Sequence, residues 1–272
     1  MSEEYTKAVL IDDFMSQEVD ILTFPSHFNV AIQIRRVIAD DSAQLEDIAE
    51  IVKKDPLVSV KILQEASQRS KDGHKHTNLA KAILVLGFDH VKRIALMVAM
   101  KQLQQSRMSM RHVALSRLIW LNSVYVASAA HVITDNLTTR IDPEEAFMSG
   151  MMLNMGAFYL LFQAGQNPDI KDSFDRVVEG IDQHYLARTL DILTMFNMSP
   201  VCRVAVSIDK IPDNDWVEEP TSLRMVIKMA NKLASTKHPW VTRFPDENIP
   251  MTYKALWPEI EAMAEQLKRN DY

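Results

Sequence analysis

Of 272 residues, 47% are hydrophobic and only 6 are glycine, so the chain can fill a large core but has few turn residues for a strand-rich fold. Its 30 basic and 36 acidic residues leave a net charge of −6, which argues against a protein that binds nucleic acid through overall charge. The single cysteine, Cys202, excludes an internal disulfide and gives no sign of an oxidising compartment.

The start, Met1-Ser2-Glu3-Glu4, is acidic and polar, unlike a signal peptide. The apolar stretches between Leu79 and Met100 are interrupted by Asp89, His90, Lys92 and Arg93, so no membrane span is expected. A cytoplasmic location follows as an expectation, with no membrane and no nucleic acid among the partners.

Residues 1–24 read as a mixed segment ending at Pro25. From His27 to Ala39 the spacing of Phe28, Ala31, Ile34, Val37 and Ile38 predicts one face of a helix. Leu45, Ile48, Ala49 and Val52 predict a second. Asp55-Pro56 is a helix start, because Asp can cap free N–H groups and Pro suits the first helical position. That helix carries Leu57, Val58 or Val60, Ile62 and Leu63, and ends in a polar loop from Gln68 to Asn78.

Ala80 to Leu86 predicts another helix, with Gly87 as a left-handed cap and Asp89 capping the next one to about Gln105. Arg111 to Thr134 predicts a long helix. Pro143 opens a helix through Met151, residues 173–196 hold one or two more, and Pro200 starts one through Val206. Residues 209–220, rich in Asp, Pro and Glu, predict an exposed excursion. Leu223 to Leu233 predicts a helix, and Pro258 to Arg269 a last one, with acids first and Lys268-Arg269 last, as the helix dipole favours. No alternating strand pattern stands out, so the expected class is all-α.

The ordered set Pro25, Leu45/Ile48/Ala49, Asp55-Pro56 and Ala82-Ile83 with Leu86-Gly87 resembles the HDOD domain. Further on, Trp120-x-Asn122-Ser123 resembles that family's Trp-x-His-Ser. The run Phe147-Met148-Ser149-Gly150-Met151-Met152-Leu153-Asn154-Met155-Gly156 resembles its Phe-x-x-Gly-Leu-Leu-His-Asp-Ile-Gly. The likeness extends over roughly residues 20 to 235. Two departures stand out: Ser67-Gln68 replaces the family's Asn-Ser, and Phe196 to Pro200 only loosely matches its Trp-x-x-Pro.

The resemblance implies a two-lobed helical bundle whose second lobe is a degenerate relative of the HD phosphohydrolases. Residues 1–19 would form an N-terminal segment, 20–107 the N-terminal helical lobe, 108–240 the HD-like lobe, and 241–272 a C-terminal helix packing back through Trp257 and Leu267. HD phosphohydrolases hold a divalent metal with a His, a His-Asp pair and a distant Asp. By this resemblance those positions are Asn122, Leu153-Asn154 and Asn231. Leucine cannot coordinate, and neutral amides are weak ligands for a hard cation whose task is to lower the pKa of bound water. No His-Asp dipeptide occurs among the eight histidines. No metal and no cofactor are therefore expected, and no catalytic residue is assigned. Asn122, Leu153, Asn154 and Asn231 would form a remnant pocket, or simply hydrogen-bond inside the bundle.

HDOD domains resemble output or adaptor parts of bacterial regulatory systems. The expected function is thus non-catalytic signal transduction by a stand-alone HDOD protein, with a signalling protein as partner. The alternatives are a divergent metal-dependent phosphohydrolase and a sensor of a nucleotide or other phosphate-bearing small molecule. From His90 to Thr134 there is no acidic residue, while Lys92, Arg93, Lys101, Arg107, Arg111 and Arg117 supply six positive charges. These are a candidate docking or phosphate-binding surface, unless acids such as Glu46, Asp47 and Glu50 neutralise them. His74 and His76 read as solvated loop residues. His90, His112, His131 and His184 read as boundary residues, and Cys202 as a small buried hydrophobe.

Overall fold

The computed structural model describes residues 3–17, 33, 34, 36, 37, 40, 44–53, 56–69, 79–104, 110–137, 140–195, 200–211, 216, 217, 219–240 and 248–269. Every regular element among them is helical. The helix expected over 27–39 and the residues Pro25, Asp55, His74, His76 and Arg107 lie wholly or largely outside the described residues. The chain divides into two compact units: Leu22–Gln105, and Met1–Ile21 together with Ser106–Tyr272.

The first of these holds α2 (Leu45–Val52), α3 (Pro56–Arg69), α4 (Leu79–Leu86) and α5 (Phe88–Gln104). The Asp47 carboxylate accepts the Gln44 N–H at 2.8 Å, filling a donor that the start of α2 leaves open. Ile48, Val52, Val58, Ile62, Ala82, Ile83 and Val91 pack inside this unit, each at most 1% exposed. Gly87 separates α4 from α5 with a φ of +79°, its N–H donating to the Ile83 carbonyl at 2.8 Å. Only a residue without Cβ takes that conformation at little cost. Asp89 is not the cap the pattern suggested. It lies within the first turn of α5, where it pairs with Lys92 and complements the helix dipole.

The larger unit is built on α6 (Met110–Leu137). Against it pack α7 (Pro143–Met152), α8 (Met155–Gln166), α11 (Leu223–Lys237) and α12 (Met251–Arg269). Next to α8 runs α9 (Phe174–Met195), which carries α1 (Glu3–Ser16) on its far side. The short α10 (Pro200–Val206) packs on α7, α9 and α11. The uncharged run from Leu118 to Thr134 makes α6 long and apolar enough to cross a membrane by composition, a stretch the reading of 79–100 overlooked. Seventy-two per cent of that window is buried inside the protein, as in a core helix.

Three expectations are corrected here. Residues 3–16 are a helix, because Ile11 and Met15 are buried against Gly180 on α9 and Asp12 meets His184 at 2.7 Å. The last helix begins at Met251 and holds Pro258 in its interior. An interior proline costs roughly 3 kcal/mol, and burial of Tyr253, Trp257, Ile260 and Ala264 offsets that loss. Finally, the excursion over 209–220 is anchored at its described positions. Trp216 packs on Tyr253 with centroids 5.0 Å apart, Val217 accepts the Tyr253 hydroxyl proton, and Pro220 is buried.

Candidate functional site

The four positions singled out as a remnant pocket all lie in the larger unit and all are buried. Asn122, Leu153 and Asn154 are 0% exposed and Asn231 is 5% exposed. Asn122 projects from the middle of α6, while Leu153 and Asn154 form the kink between α7 and α8. Asn231 sits on α11, which packs against α6.

The kink itself explains why Asn154 faces α6. Leu153 ends α7 with helical backbone angles, and Asn154 takes φ −94° and ψ 13°, so its side chain does not cap α8. Two orphan backbone groups result, and one hydroxyl satisfies both. Thr189 on α9 donates to the Leu153 carbonyl at 2.9 Å and accepts the Gly156 N–H at 2.8 Å. Two glycines let the helices approach. A Cβ on Gly156 would stand 2.1 Å from the Tyr185 carbonyl oxygen, and one on Gly150 would stand 2.9 Å from Ala127 Cα.

The polarity of the amide centre follows from its fixed ends. The His238 carbonyl can only accept, so the Asn122 Nδ2 that lies 2.9 Å away donates to it. Asn122 Oδ1 therefore faces the other way and accepts from Asn154 Nδ2 at 2.8 Å. Ser123 gives its proton to the Ile119 carbonyl at 2.8 Å, so its oxygen is left to accept from Asn154 Nδ2 at 3.0 Å. Both hydrogens of the Asn154 amide are thereby committed. Its Oδ1 is buried with no hydrogen-bond partner among the described residues.

A divalent metal does not fit these residues. Asn122 has spent its oxygen on Asn154, and Leu153 offers hydrocarbon. What remains is the neutral oxygen of Asn154 and the amide of Asn231, without a carboxylate or imidazole to neutralise a cation. Among the described residues, no group of three or more His, Cys, Asp or Glu side chains is placed to hold a metal ion.

Sequence reasoning quoted Ser123 within a motif and missed Thr189, Ser235 and His238. Ser235 Oγ is 3.3 Å from Asn122 Nδ2. His238 links the buried amides to an aromatic cluster. Its ring stacks on Tyr125 at 3.8 Å, and Trp257 lies nearly parallel to Tyr125 at 5.9 Å. Burial, then the nearby Lys268 and Lys237 charges, hold the His238 imidazole below its usual pKa. Nothing in the spacing of these residues marks them, because Ser235 and His238 meet Asn122 across 113 and 116 residues of chain and Thr189 meets the α7–α8 kink across 33 and 36.

The other candidates are dispersed. Lys92, Arg93 and Lys101 lie in α5, whereas Arg111 and Arg117 lie in α6, in the other unit. Lys92 pairs with Asp89 on its own helix. The Arg111 guanidinium lies 5.8 Å from the Phe174 ring centre, and Arg117 is exposed. Two of the three acids expected to neutralise the segment are engaged locally: Asp47 with the Gln44 N–H and Glu50 with Lys53. His90 joins Glu65 at 2.5 Å, and the Arg69 guanidinium lies 3.1 Å from its other ring nitrogen, an arrangement that ties α3 to α5. Cys202 is fully buried, 3.5 Å from Ser149 Oγ.

Comparison with solved structures shows the same fold at low identity. A candidate metal-dependent phosphohydrolase from Shewanella amazonensis matches with a TM-score of 0.62 and 18% identity, over 97% of this chain and 100% of that one. A candidate signal transduction protein from Marinobacter aquaeolei matches at 0.61 and 15%, over 98% of this chain; the match spans 63% of the Marinobacter chain. An HDOD domain protein of unknown function from Geobacter sulfurreducens matches at 0.60 and 13%, over 96% and 89%. A comparison with curated proteins gives no match. The family model of the HDOD domain matches residues 24–173, more than half of the sequence. The chain therefore belongs to the HDOD domain family.

Proposed function

We propose that this protein is a non-catalytic signal-transduction module of the cytoplasm that acts through protein contacts. The observation that carries the reading is the committed amide centre. At the place where an HD phosphohydrolase would bind its cation, Asn122 and Asn154 bond to one another, to Ser123 and to the backbone of His238. Such a network holds α6, the α7–α8 kink and α11 together, and leaves no anionic ligand to activate water. Family membership supports a signalling role, and a fold shared with a candidate signal transduction protein agrees with it.

The test is metal analysis with activity. Protein purified from medium supplemented with iron, manganese and zinc should contain far less than one equivalent of any of them. It should also show no turnover of bis(p-nitrophenyl) phosphate above the buffer blank. One equivalent of metal, with turnover abolished by Asn154→Ala, would replace this reading with that of a divergent phosphohydrolase. A melting-temperature shift with millimolar nucleotide, lost on altering Asn154, would replace it with that of a small-molecule sensor.

A further inference from the structure

We infer that the solvent side of α6 between Met110 and Leu121 docks an acidic amphipathic helix of a partner protein. This rests on the protein-contact reading above and names the partner's chemistry. At about 100° per residue, Met110, Ala114, Leu118 and Leu121 fall on one side of α6, with Arg111 and Arg117 beside them. Met110 is 91% exposed and Leu118 46% exposed. Ala114, Arg111 and Arg117 are also exposed, and Leu121 is half-buried. The opposite side, including Leu115, Ile119 and Trp120, is buried in the core. The exposed strip is about 16 Å long at 1.5 Å per residue, enough for three turns of a partner helix.

Charge selects the occupant. Neither Arg111 nor Arg117 pairs with a carboxylate among the described residues. Arg111 is instead held against Phe174. Asp172 acts on the neighbouring His112 and Asp175 opens α9, but α6 itself has no acid before Asp135. A second copy of this face would set arginine against arginine. A membrane surface calls for a larger basic cluster than two arginines, and single-stranded nucleic acid calls for stacking aromatics that this strip lacks. A helix with leucines at i, i+4 and i+7 and flanking glutamates matches both the apolar strip and the two cations. Methionine and leucine at the rim suit a surface that adapts to its ligand.

The experiment uses the full chain and three fluorescein-labelled synthetic helices: an acidic Leu/Glu amphipathic peptide, its scrambled version, and its Leu/Lys counterpart. Fluorescence anisotropy should show the acidic peptide binding at least tenfold more tightly than the other two. Arg111→Glu with Arg117→Glu should weaken it at least tenfold, and Leu118→Asp similarly. The double arginine variant should instead gain affinity for the Leu/Lys peptide, a swap that misfolding does not produce. Equal binding of acidic and scrambled peptides, or binding unchanged in the double variant, overturns the inference. So does self-association in sedimentation velocity that Leu118→Asp abolishes, or flotation of the wild type with phosphatidylserine vesicles. None of these outcomes bears on metal content or turnover, so failure here is separable from failure of the non-catalytic reading.

Discussion

Two helix junctions in this protein solve the same problem by different means. Between α4 and α5, Gly87 turns the chain with a positive φ, and its N–H and carbonyl bond within a few residues. A Cβ placed there would meet nothing within 4 Å. Between α7 and α8, the kink at Leu153-Asn154 uses ordinary backbone angles but is enclosed by α6, α9 and α11. Among the described residues its orphan backbone groups are satisfied by Thr189, and the Asn154 Nδ2 hydrogens by Asn122 and Ser123. The first junction is solved by the residue that occupies it, the second by residues from elsewhere in the chain. Perturbing the first therefore strains backbone without clash, and perturbing the second clashes or strands polar groups.

The largest expected effect is from Asn154→Asp. One carboxylate oxygen would take the place of Nδ2, against Asn122 Oδ1 and Ser123 Oγ, and the other would keep the unpartnered place of Oδ1. A buried, uncompensated charge costs about 4 kcal/mol, and the acid would be pushed above its usual pKa. Sign follows from linkage: the folded state then binds a proton that the unfolded state releases, so this variant loses stability as pH rises. The wild type should show the opposite slope below neutrality. His238 and His112 are both held below their usual pKa, by burial foremost. Their contribution is present above about pH 6.5 and is lost as pH falls towards their lower folded values. Both proteins keep the two histidines, so urea melts from pH 5 to 8 would show the variant losing stability relative to the wild type as pH rises. Parallel slopes would mean that Asn154 is not enclosed as described.

Gly156→Ala comes next. The new methyl meets backbone at 2.1 Å rather than a yielding side chain, so α8 must move off α9. A loss of about 3 kcal/mol is expected, read as a lower urea midpoint. Thr189→Val keeps the shape and removes the hydroxyl, stranding the Leu153 carbonyl and the Gly156 N–H. That should cost about 2 kcal/mol, and Thr189→Ser should recover most of it. The smallest effect belongs to the open junction. Gly87→Ala should cost about 1 kcal/mol from backbone strain alone, and Gly87→Asn less, because asparagine tolerates the left-handed region. If Gly87→Ala exceeded Gly156→Ala in cost, the contrast between the two junctions would be inverted.

Local signals made much of the fold legible. Pro56, Pro143 and Pro200 each begin a helix, Asp142 accepts the Glu144 N–H at 3.0 Å, and Gly87 turns as its position implied. The helices α1 and α12 depart from the local signals for different reasons. α1 has only Ile11 and Met15 among its described buried residues, and Pro258, which suits a first helical position, lies inside α12, where packing overrides its cost. The site was half legible. Likeness to a known motif pointed to Asn122 and Asn154, but not to the His238 carbonyl, which accepts from Asn122 at the end of α11, or to the Thr189 hydroxyl, which bonds the backbone on either side of Asn154 from α9.

Residue chemistry by itself determined that this chain is helical, that it contains no His-Asp dipeptide, and that one long stretch is free of acids. These are properties of composition and near-neighbour order, which act through backbone preference and ligand identity. Only the tertiary structure decided that the two asparagines bond to each other, that Asn154 keeps one oxygen in reserve, and that the basic residues are divided between two units. Hydrogen-bond direction and burial depend on which distant helices meet, and the pattern along a single helix does not encode that.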